Sequence, residues 1–184
     1  MSGNRGRLVL VLGPMYAGKT TELLGRLRGE RRARACEAVK PAFDVRYGAD
    51  RIASHDGDAE AARPIRRWGD VDPAARAVFI DEVQFLEPPH FDGDAAAGVG
   101  SLLSRGVDVT ACGLDTDWRR VPFRVAAALE AMADSVVRRT ARCAVCGGAA
   151  AWTFKKSGAG PSVELGAGET YEARCGRCWP SAPA

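Results

Sequence analysis

Glycines, a lysine and a threonine near the start of the chain have the spacing of a phosphate-binding loop. Residues 13–20 read Gly-Pro-Met-Tyr-Ala-Gly-Lys-Thr and fit the pattern G-x-x-x-x-G-K-[ST]. In such loops, backbone N–H groups surround phosphate, the lysine reaches the β- and γ-phosphates, and the hydroxyl ligates Mg²⁺. We therefore predict that Lys19 and Thr20 bind a nucleoside triphosphate with its magnesium ion. The alternative is a glycine-rich turn that merely contains a lysine.

Two adjacent acids form a second chemical pattern. Asp81 and Glu82 directly follow the short apolar run 77–80. An acid at the carboxyl end of a buried strand, downstream of a phosphate-binding loop, is the expected partner for Mg²⁺. We predict that Asp81 holds the metal, directly or through water, and that Glu82 is the general base for the attacking oxygen. For Glu82, the alternative is an exposed carboxylate after a strand.

Two C-x-x-C pairs near the end of the chain form a third pattern. Two such pairs complete a tetrahedral zinc site, and a closed site of four thiolates is structural because no position remains for water or substrate. Two disulfides and a redox dithiol are the alternatives, and a reducing cytosol disfavours disulfides. Cys36 and Cys112 are interpreted as small core residues. The predicted zinc ligands are Cys143, Cys146, Cys175 and Cys178.

Strand patterns alternate with helical patterns between these sites. Residues 8–12 are continuously apolar, as in a strand buried on both faces, and leucines recur on one face of the helix that follows. Strand–helix alternation predicts an α/β fold: a parallel sheet of the P-loop NTPase type with helices on both faces. The predicted strands are 7–12, 35–39, 77–80, 107–112 and one beginning at Val136, and the predicted helices are 20–34, 95–105 and 124–133.

Composition bounds the remaining possibilities. Glycines and cysteines replace the helical pattern after about residue 140, so we predict a nucleotide-binding domain over 1–140, a zinc-binding domain over 141–180 and a tail over 181–184. The net charge of +3 is mild and suits anionic small molecules. No run approaches the roughly 20 apolar residues of a membrane span. We expect a cytoplasmic protein without a membrane or nucleic-acid partner.

Together these motifs show that the whole chain resembles the zinc-ribbon (type II) thymidine kinases. The resemblance runs from about residue 7 to residue 179 and is more specific than a phosphate-binding loop alone. The residues that carry it occur in the family's order, in the segments 13–24, 40–47, 54–57, 79–85, 113–119 and 171–178.

The resemblance implies ATP-dependent phosphorylation of the 5′-hydroxyl of thymidine or deoxyuridine, a step of nucleotide salvage for DNA synthesis. It assigns catalysis to Glu82 and magnesium to Thr20 and Asp81. The ATP site that it implies comprises Gly13, Pro14, Met15, Tyr16, Ala17, Gly18, Lys19, Thr20, Asp81, Val83 and Gln84. The nucleoside site that it implies comprises Met15, Phe85, Leu114, Trp118, Phe123, Thr153, Ser162, Val163, Glu164, Leu165, Gly166 and Tyr171.

The long insertion between the cysteine pairs is explained by the same resemblance. It corresponds to a lid loop, the family's "lasso", which closes over the nucleoside and excludes water. A homotetramer and feedback inhibition by thymidine triphosphate (dTTP) are also implied. Three features depart from the family pattern: Trp118 stands where phenylalanine is usual, the lid sequence 164–169 differs, and the predicted second strand, 35–39, lacks the usual richness in valine and leucine. A larger ring at Trp118 either tightens the pocket or changes its tolerance for the 5-substituent of the base.

Other functions fit parts of the pattern. A nucleic-acid-stimulated P-loop ATPase also carries an acidic pair at a strand end, but it predicts a basic zinc ribbon, and residues 143–179 are barely basic. A nucleotide-binding protein without turnover would lack a catalytic group, and none is lost here. His55 and His90 have no evident partner in the sequence and receive no role.

Overall fold

A parallel β-sheet flanked by helices positions the phosphate-binding loop and the acidic pair. The computed structural model describes residues 5–163, 165–166 and 168–179. Helices α1, α2 and α3 comprise Lys19–Glu30, Ala95–Ser104 and Arg124–Glu130. Strands β1 to β8 comprise Leu8–Leu12, Cys36–Pro41, Arg51–Ala53, Ala59–Ala61, Arg63–Ile65, Ala77–Ile80, Asp108–Gly113 and Ser135–Arg138.

The central sheet has six strands in the order β5-β2-β6-β7-β1-β8, and all neighbouring pairs are parallel. Alternate residues of each strand face opposite layers. Leu10 of β1 lies in a core with α2 and α3, whereas Val11 packs with Leu23, Leu24 and Leu27 of α1 on the other face. Helices therefore cover both faces, which confirms the predicted fold class.

Most predicted elements are present, with shifted ends. The second strand forms despite its weak propensity, because β2 is paired on both sides, with β5 and β6. The first helix was predicted to extend to residue 34 but ends at Glu30. Arg34 pairs with Glu30 and, at 2.5 Å, with Asp108 at the start of β7. These contacts hold the chain in the turn that leads into β2.

After the sheet, the chain forms short antiparallel strands. These are β9 to β12, which comprise Ala141–Arg142, Ala149–Ala150, Trp152–Lys155 and Tyr171–Arg174. β9 pairs with β10, and β11 pairs with β12. Residues 156–170, which include the lid sequence 164–169 of the sequence prediction, connect β11 to β12. This connection is called the lid below. Within the part of the chain that the structure describes, no helix combines the length and apolarity needed to cross a bilayer.

Two glycines of α2 differ sharply in their surroundings. A Cβ on Gly98 would lie 2.1 Å from the indole of Trp68, whereas one on Gly100 would lie 3.7 Å from the nearest methyl group, on Met132. The Trp68 indole also donates a hydrogen bond to the Asp94 carbonyl over 2.9 Å. Gly98 therefore serves packing, at a cost in helix propensity.

We expect Gly98→Ala to lower the free energy of unfolding by about 2 kcal/mol, because overpacking displaces the Trp68 indole. Gly100→Ala, the matched control in the same helix, should raise that free energy by about 0.5–1 kcal/mol through helix propensity. Urea unfolding followed by far-UV circular dichroism measures both changes. Equal effects of the two substitutions would contradict the packing role of Gly98.

Candidate active site

The phosphate-binding loop connects β1 to α1 at the carboxyl end of the sheet. Gly13 has φ 151° and Gly18 has φ 71°, which are conformations that favour glycine. A Cβ on Gly13 would also lie 2.3 Å from the carbonyl oxygen of Arg139. The loop leads into the amino end of α1, where the helix dipole favours an anion. The geometry is therefore that of a phosphate cradle.

Lys19 is held inside this loop. Its Nζ donates a hydrogen bond to the Pro14 carbonyl over 2.7 Å. Burial lowers the pKa of Lys19, and the nearby carboxylates, Glu82 first, act in the opposite direction. The backbone N–H of Met15 donates to Thr153 Oγ1 over 3.0 Å. β11, which lies outside the central sheet, thus contacts and supports the phosphate loop.

The acidic pair separates into two environments. Asp81 is buried and accepts hydrogen bonds from the Cys112 thiol at 2.9 Å and the Glu82 N–H at 3.1 Å. The Thr20 hydroxyl lies 3.4 Å from the same carboxylate oxygen. Burial, followed by the charge of Glu82, raises the pKa of Asp81 to about 7. The two predicted magnesium ligands therefore lie side by side below the phosphate loop.

Glu82 takes a left-handed backbone conformation, with φ 55° and ψ 47°. Such a conformation costs a non-glycine residue about 1–3 kcal/mol and recurs at functional sites. One carboxylate oxygen pairs with Arg46 and the other accepts a hydrogen bond from Gln84. The turn therefore directs the Glu82 side chain into the cavity, whereas the neighbouring Asp81 side chain is buried beneath the cavity wall.

Behind Glu82, a chain of alternating charges runs into the interior. Arg46 pairs with Asp44 at 2.7 Å, and Asp44 pairs with Lys40 at 3.4 Å. Lys40 and Asp44 are both buried, and the Lys40 ammonium also donates to the Arg51 carbonyl over 3.1 Å. These contacts hold Arg46 against Glu82.

We expect Asp44→Asn to lower the free energy of unfolding by about 3 kcal/mol at neutral pH, because it leaves the cations of Lys40 and Arg46 without their buried carboxylate. Burial acts to raise the pKa of Asp44, but the hydrogen bond and charge of Arg46, with the charge of Lys40, lower it below the ordinary 3.8. The stabilisation is complete above that pH and is lost as the pH falls through the folded-state pKa.

Urea unfolding over a range from about pH 7 to about pH 3 measures this effect, and the gap between parent and variant should narrow at the acidic end. Asp50→Asn is the matched control, because the Asp50 side chain is 85% exposed and its nearest cation is 4.0 Å away. If the difference in free energy of unfolding between parent and variant stays constant with pH, the paired Asp44 carboxylate is not its source.

One cavity of about 250 Å³ joins the phosphate loop, Glu82 and the lid. Its predicted ATP-site residues are Met15, Tyr16, Ala17, Gly18, Lys19, Thr20 and Gln84. Its predicted nucleoside-site residues are Met15, Phe85, Leu114, Trp118, Phe123, Thr153, Ser162, Val163, Gly166 and Tyr171. Of the described residues in those predicted sets, Gly13, Pro14, Asp81, Val83 and Leu165 do not line it. Glu164 lies outside the described residues.

Several cavity residues were not identified from sequence. Arg46, Ser54, His55, Asp56 and Asp117 all line it. His55 packs on the Tyr16 ring with centroids 4.8 Å apart. Burial, followed by the positive charge of Arg46, lowers the pKa of His55. Four of these cavity residues lie within the motifs 40–47 and 54–57, and this was the available signal, since motif residues in loops commonly reach a site.

His90 lies elsewhere. Its ring stacks on Phe43 with centroids 3.8 Å apart, and both residues line a shallow groove separate from the main cavity. The sequence offered no partner for this histidine, and the structure supplies an aromatic one.

The four cysteines of the two C-x-x-C pairs converge. Their Sγ atoms all lie within 4.8 Å of one another, and those of Cys146 and Cys175 are 3.7 Å apart. Zn–S bonds of about 2.3 Å in a tetrahedron place sulfurs about 3.8 Å apart. Backbone N–H groups, first of Cys146 and then of Cys175, lower the pKa of Cys143 to about 6, which favours the thiolate that binds metals. The set fits a structural zinc ion.

A phosphate loop at the carboxyl end of a parallel sheet, facing an acidic pair, defines the class of P-loop nucleotide-binding proteins. Comparison with known proteins narrows this class. Residues 6–179 match the sequence profile of the family described as "Thymidine kinase".

Relatives named "Thymidine kinase" align over almost the whole chain. The protein of Bdellovibrio bacteriovorus is 38% identical over 93% of this chain and 84% of its own length. Those of Pseudothermotoga lettingae and Porphyromonas gingivalis are each 36% identical over 95% of this chain, and over 95% and 85% of their own lengths. The chain belongs to the thymidine kinase family and is a nucleoside kinase, a transferase.

Proposed function

We propose that this protein transfers the γ-phosphoryl group of ATP to the 5′-hydroxyl of thymidine or deoxyuridine, with Glu82 as general base. The observation that carries the proposal is the single cavity, which joins the phosphate loop to apolar walls and a lid with Glu82 between them. A nucleoside bound against those walls would present its sugar hydroxyl to Glu82. Membership of the thymidine kinase family supports the choice of nucleoside.

The assignment of the base rests on geometry around Glu82. Arg46 and Gln84 each contact one of its oxygens, so the carboxylate is held in one orientation. In the reaction, Glu82 accepts the proton of the attacking hydroxyl as the oxygen bonds to phosphorus. The loop amides and Lys19 bind the triphosphate in line with that oxygen and stabilise the charge on it.

We assign magnesium to Thr20 and Asp81. Their oxygens lie 3.4 Å apart beside the loop, and oxygen donors are the ligands that Mg²⁺ prefers. The buried carboxylate has no cationic partner within 4.0 Å among the described residues. When bound, the ion neutralises charge on the phosphate oxygens.

The nucleoside site is assigned to the far half of the cavity. Apolar side chains form its walls, while hydroxyls and backbone groups of the lid can satisfy the polar edge of a base. Val163 of the lid and Leu114 both pack against the main core. Of the residues assigned from sequence, Leu165 lies off the cavity wall and is not supported as a direct contact.

Zinc is assigned a structural role at Cys143, Cys146, Cys175 and Cys178. The cluster ties together the chain before β10 and the chain after β12, and so anchors both ends of the lid. The division into domains 1–140 and 141–180 rests on this change of architecture after β8. A cytoplasmic location, a homotetramer and feedback inhibition by dTTP are supported by the family resemblance.

Incubation of the purified protein with MgATP and each of several nucleosides tests the proposal. Thymidine and deoxyuridine should give 5′-monophosphates, identified by mass spectrometry, at rates well above those of deoxycytidine and deoxyadenosine. Lys19→Met should abolish product with every nucleoside, which ties the activity to the loop. Preferential phosphorylation of a purine nucleoside, or no product from any nucleoside, would refute the assignment.

A further inference from the structure

A hydrogen bond joins the cavity wall to the lid. The indole N–H of Trp118 donates to the carbonyl oxygen of Pro161 over 2.9 Å. Trp118 lines the cavity, and Pro161 lies in the lid next to Ser162 and Val163, which also line it. Phenylalanine has no N–H group and would leave this lid carbonyl without that donor.

Hydrogen bonds of Asp117 hold together the turn that carries Trp118. Asp117 is 4% exposed, and its carboxylate accepts hydrogen bonds from the N–H groups of Arg119 at 2.8 Å and Val121 at 2.9 Å. Its own N–H donates to the Val121 carbonyl over 2.8 Å. Trp118 therefore projects from a closed hydrogen-bonded turn.

On its other side, the turn is fixed to the zinc-binding domain by Arg120. The Arg120 guanidinium lies over the ring of Trp152 at 4.7 Å and over the ring of Trp179 at 4.2 Å. Trp152 begins β11 and Trp179 directly follows the last cysteine of the cluster. The faces of aromatic rings attract a guanidinium at such distances. The turn that carries the indole donor of Trp118 is therefore held in place by contacts on both sides.

We propose that Trp118 is a latch that holds the lid closed over the cavity before the nucleoside binds. A segment that is already ordered costs less conformational entropy when the ligand arrives, so the latch increases nucleoside affinity. The latch acts through the lid, which makes Trp118 a positioning residue as well as part of the wall. Its effect on nucleoside affinity rests on the function proposed above, whereas its effect on the ligand-free lid does not.

Trp118→Phe tests the latch, because it removes the N–H donor and keeps an aromatic wall. In the ligand-free variant, backbone amides of residues 156–163 should exchange with deuterium about five-fold faster, the loss of roughly one net hydrogen bond. Amides of β1 should exchange at the parental rate, which shows that the fold is intact. The KM for the nucleoside should rise about five-fold, and kcat should not fall.

Trp68→Phe is the matched control. It also removes an indole N–H that donates to a backbone carbonyl at 2.9 Å, but the acceptor is Asp94, directly before α2, and Trp68 does not line the cavity. This variant should leave both the exchange of the lid and the nucleoside KM unchanged. Parental lid exchange in Trp118→Phe, or a parental KM, would overturn the latch. A parent that phosphorylates no pyrimidine nucleoside would refute the proposed function and leave the exchange result to decide the latch alone.

Discussion

Replacement of Glu82 by glutamine is expected to lower kcat for thymidine by about 10²- to 10⁴-fold, the contribution typical of a positioned general base. Glutamine keeps the size of the side chain and its contact with the cavity, but it does not accept a proton from the attacking hydroxyl. The phosphate loop is untouched, so the Kd for ATP, measured by calorimetry, should stay within about three-fold of the parental value.

Glu87→Gln provides the matched control for this substitution. Glu87 lies five positions further on, pairs with Arg124 at 3.3 Å and does not line the main cavity. Its substitution should leave kcat and KM at parental values. Rapid turnover by Glu82→Gln would remove Glu82 from the mechanism, whatever happened to affinity.

Loss of the cysteine cluster is expected to have the second large effect. Zinc binding contributes about 10–16 kcal/mol in small zinc-binding peptides, and that free energy is folding free energy. In this protein, β11 supplies the Thr153 hydroxyl that accepts a hydrogen bond from Met15 in the phosphate loop, over 3.0 Å. Disorder of the zinc-binding domain therefore disturbs both the phosphate loop and the lid, which lie at the two ends of the cavity.

We expect the double variant Cys146→Ser/Cys178→Ser to purify without zinc, whereas the parent should hold about one ion per chain. Its kcat/KM should fall by at least about 100-fold, because misplacement of a substrate group by about 1 Å already costs that much. Elemental analysis and steady-state kinetics measure the two effects. Cys36→Ser, at a half-buried position outside the cluster, should change neither. Full activity in zinc-free protein would exclude the supporting role.

Features with a fixed local spacing were predictable from sequence. Particular residues at fixed, short separations define the phosphate loop, the acidic pair after β6 and each C-x-x-C pair. Residues so close in sequence must lie close in space, and so their joint chemistry can be predicted. The parallel sheet was predictable from apolar runs such as residues 8–12, which only burial on both faces explains.

Features that depend on contacts between distant segments were not predictable. The strands β3, β4 and β5 have three residues each, carry arginine, alanine or proline, and are too short for alternation to identify a strand. Pairing with neighbours stabilises them, so propensity gives no signal. Arg46 and His55 enter the cavity from loops whose paths depend on the buried Lys40–Asp44 pair and on packing against Tyr16. The bond from Met15 to Thr153 spans 138 positions and is likewise invisible locally.

The central claim is that one cavity delivers the γ-phosphoryl group to a nucleoside hydroxyl and not to water. Parallel measurement of ADP and thymidine monophosphate in the same reaction tests it most directly. The account predicts equal amounts of the two products, and ADP formation without thymidine at less than about 1% of the full rate, since the lid excludes water. ADP released at the same rate with and without thymidine would identify an ATPase and contradict the account.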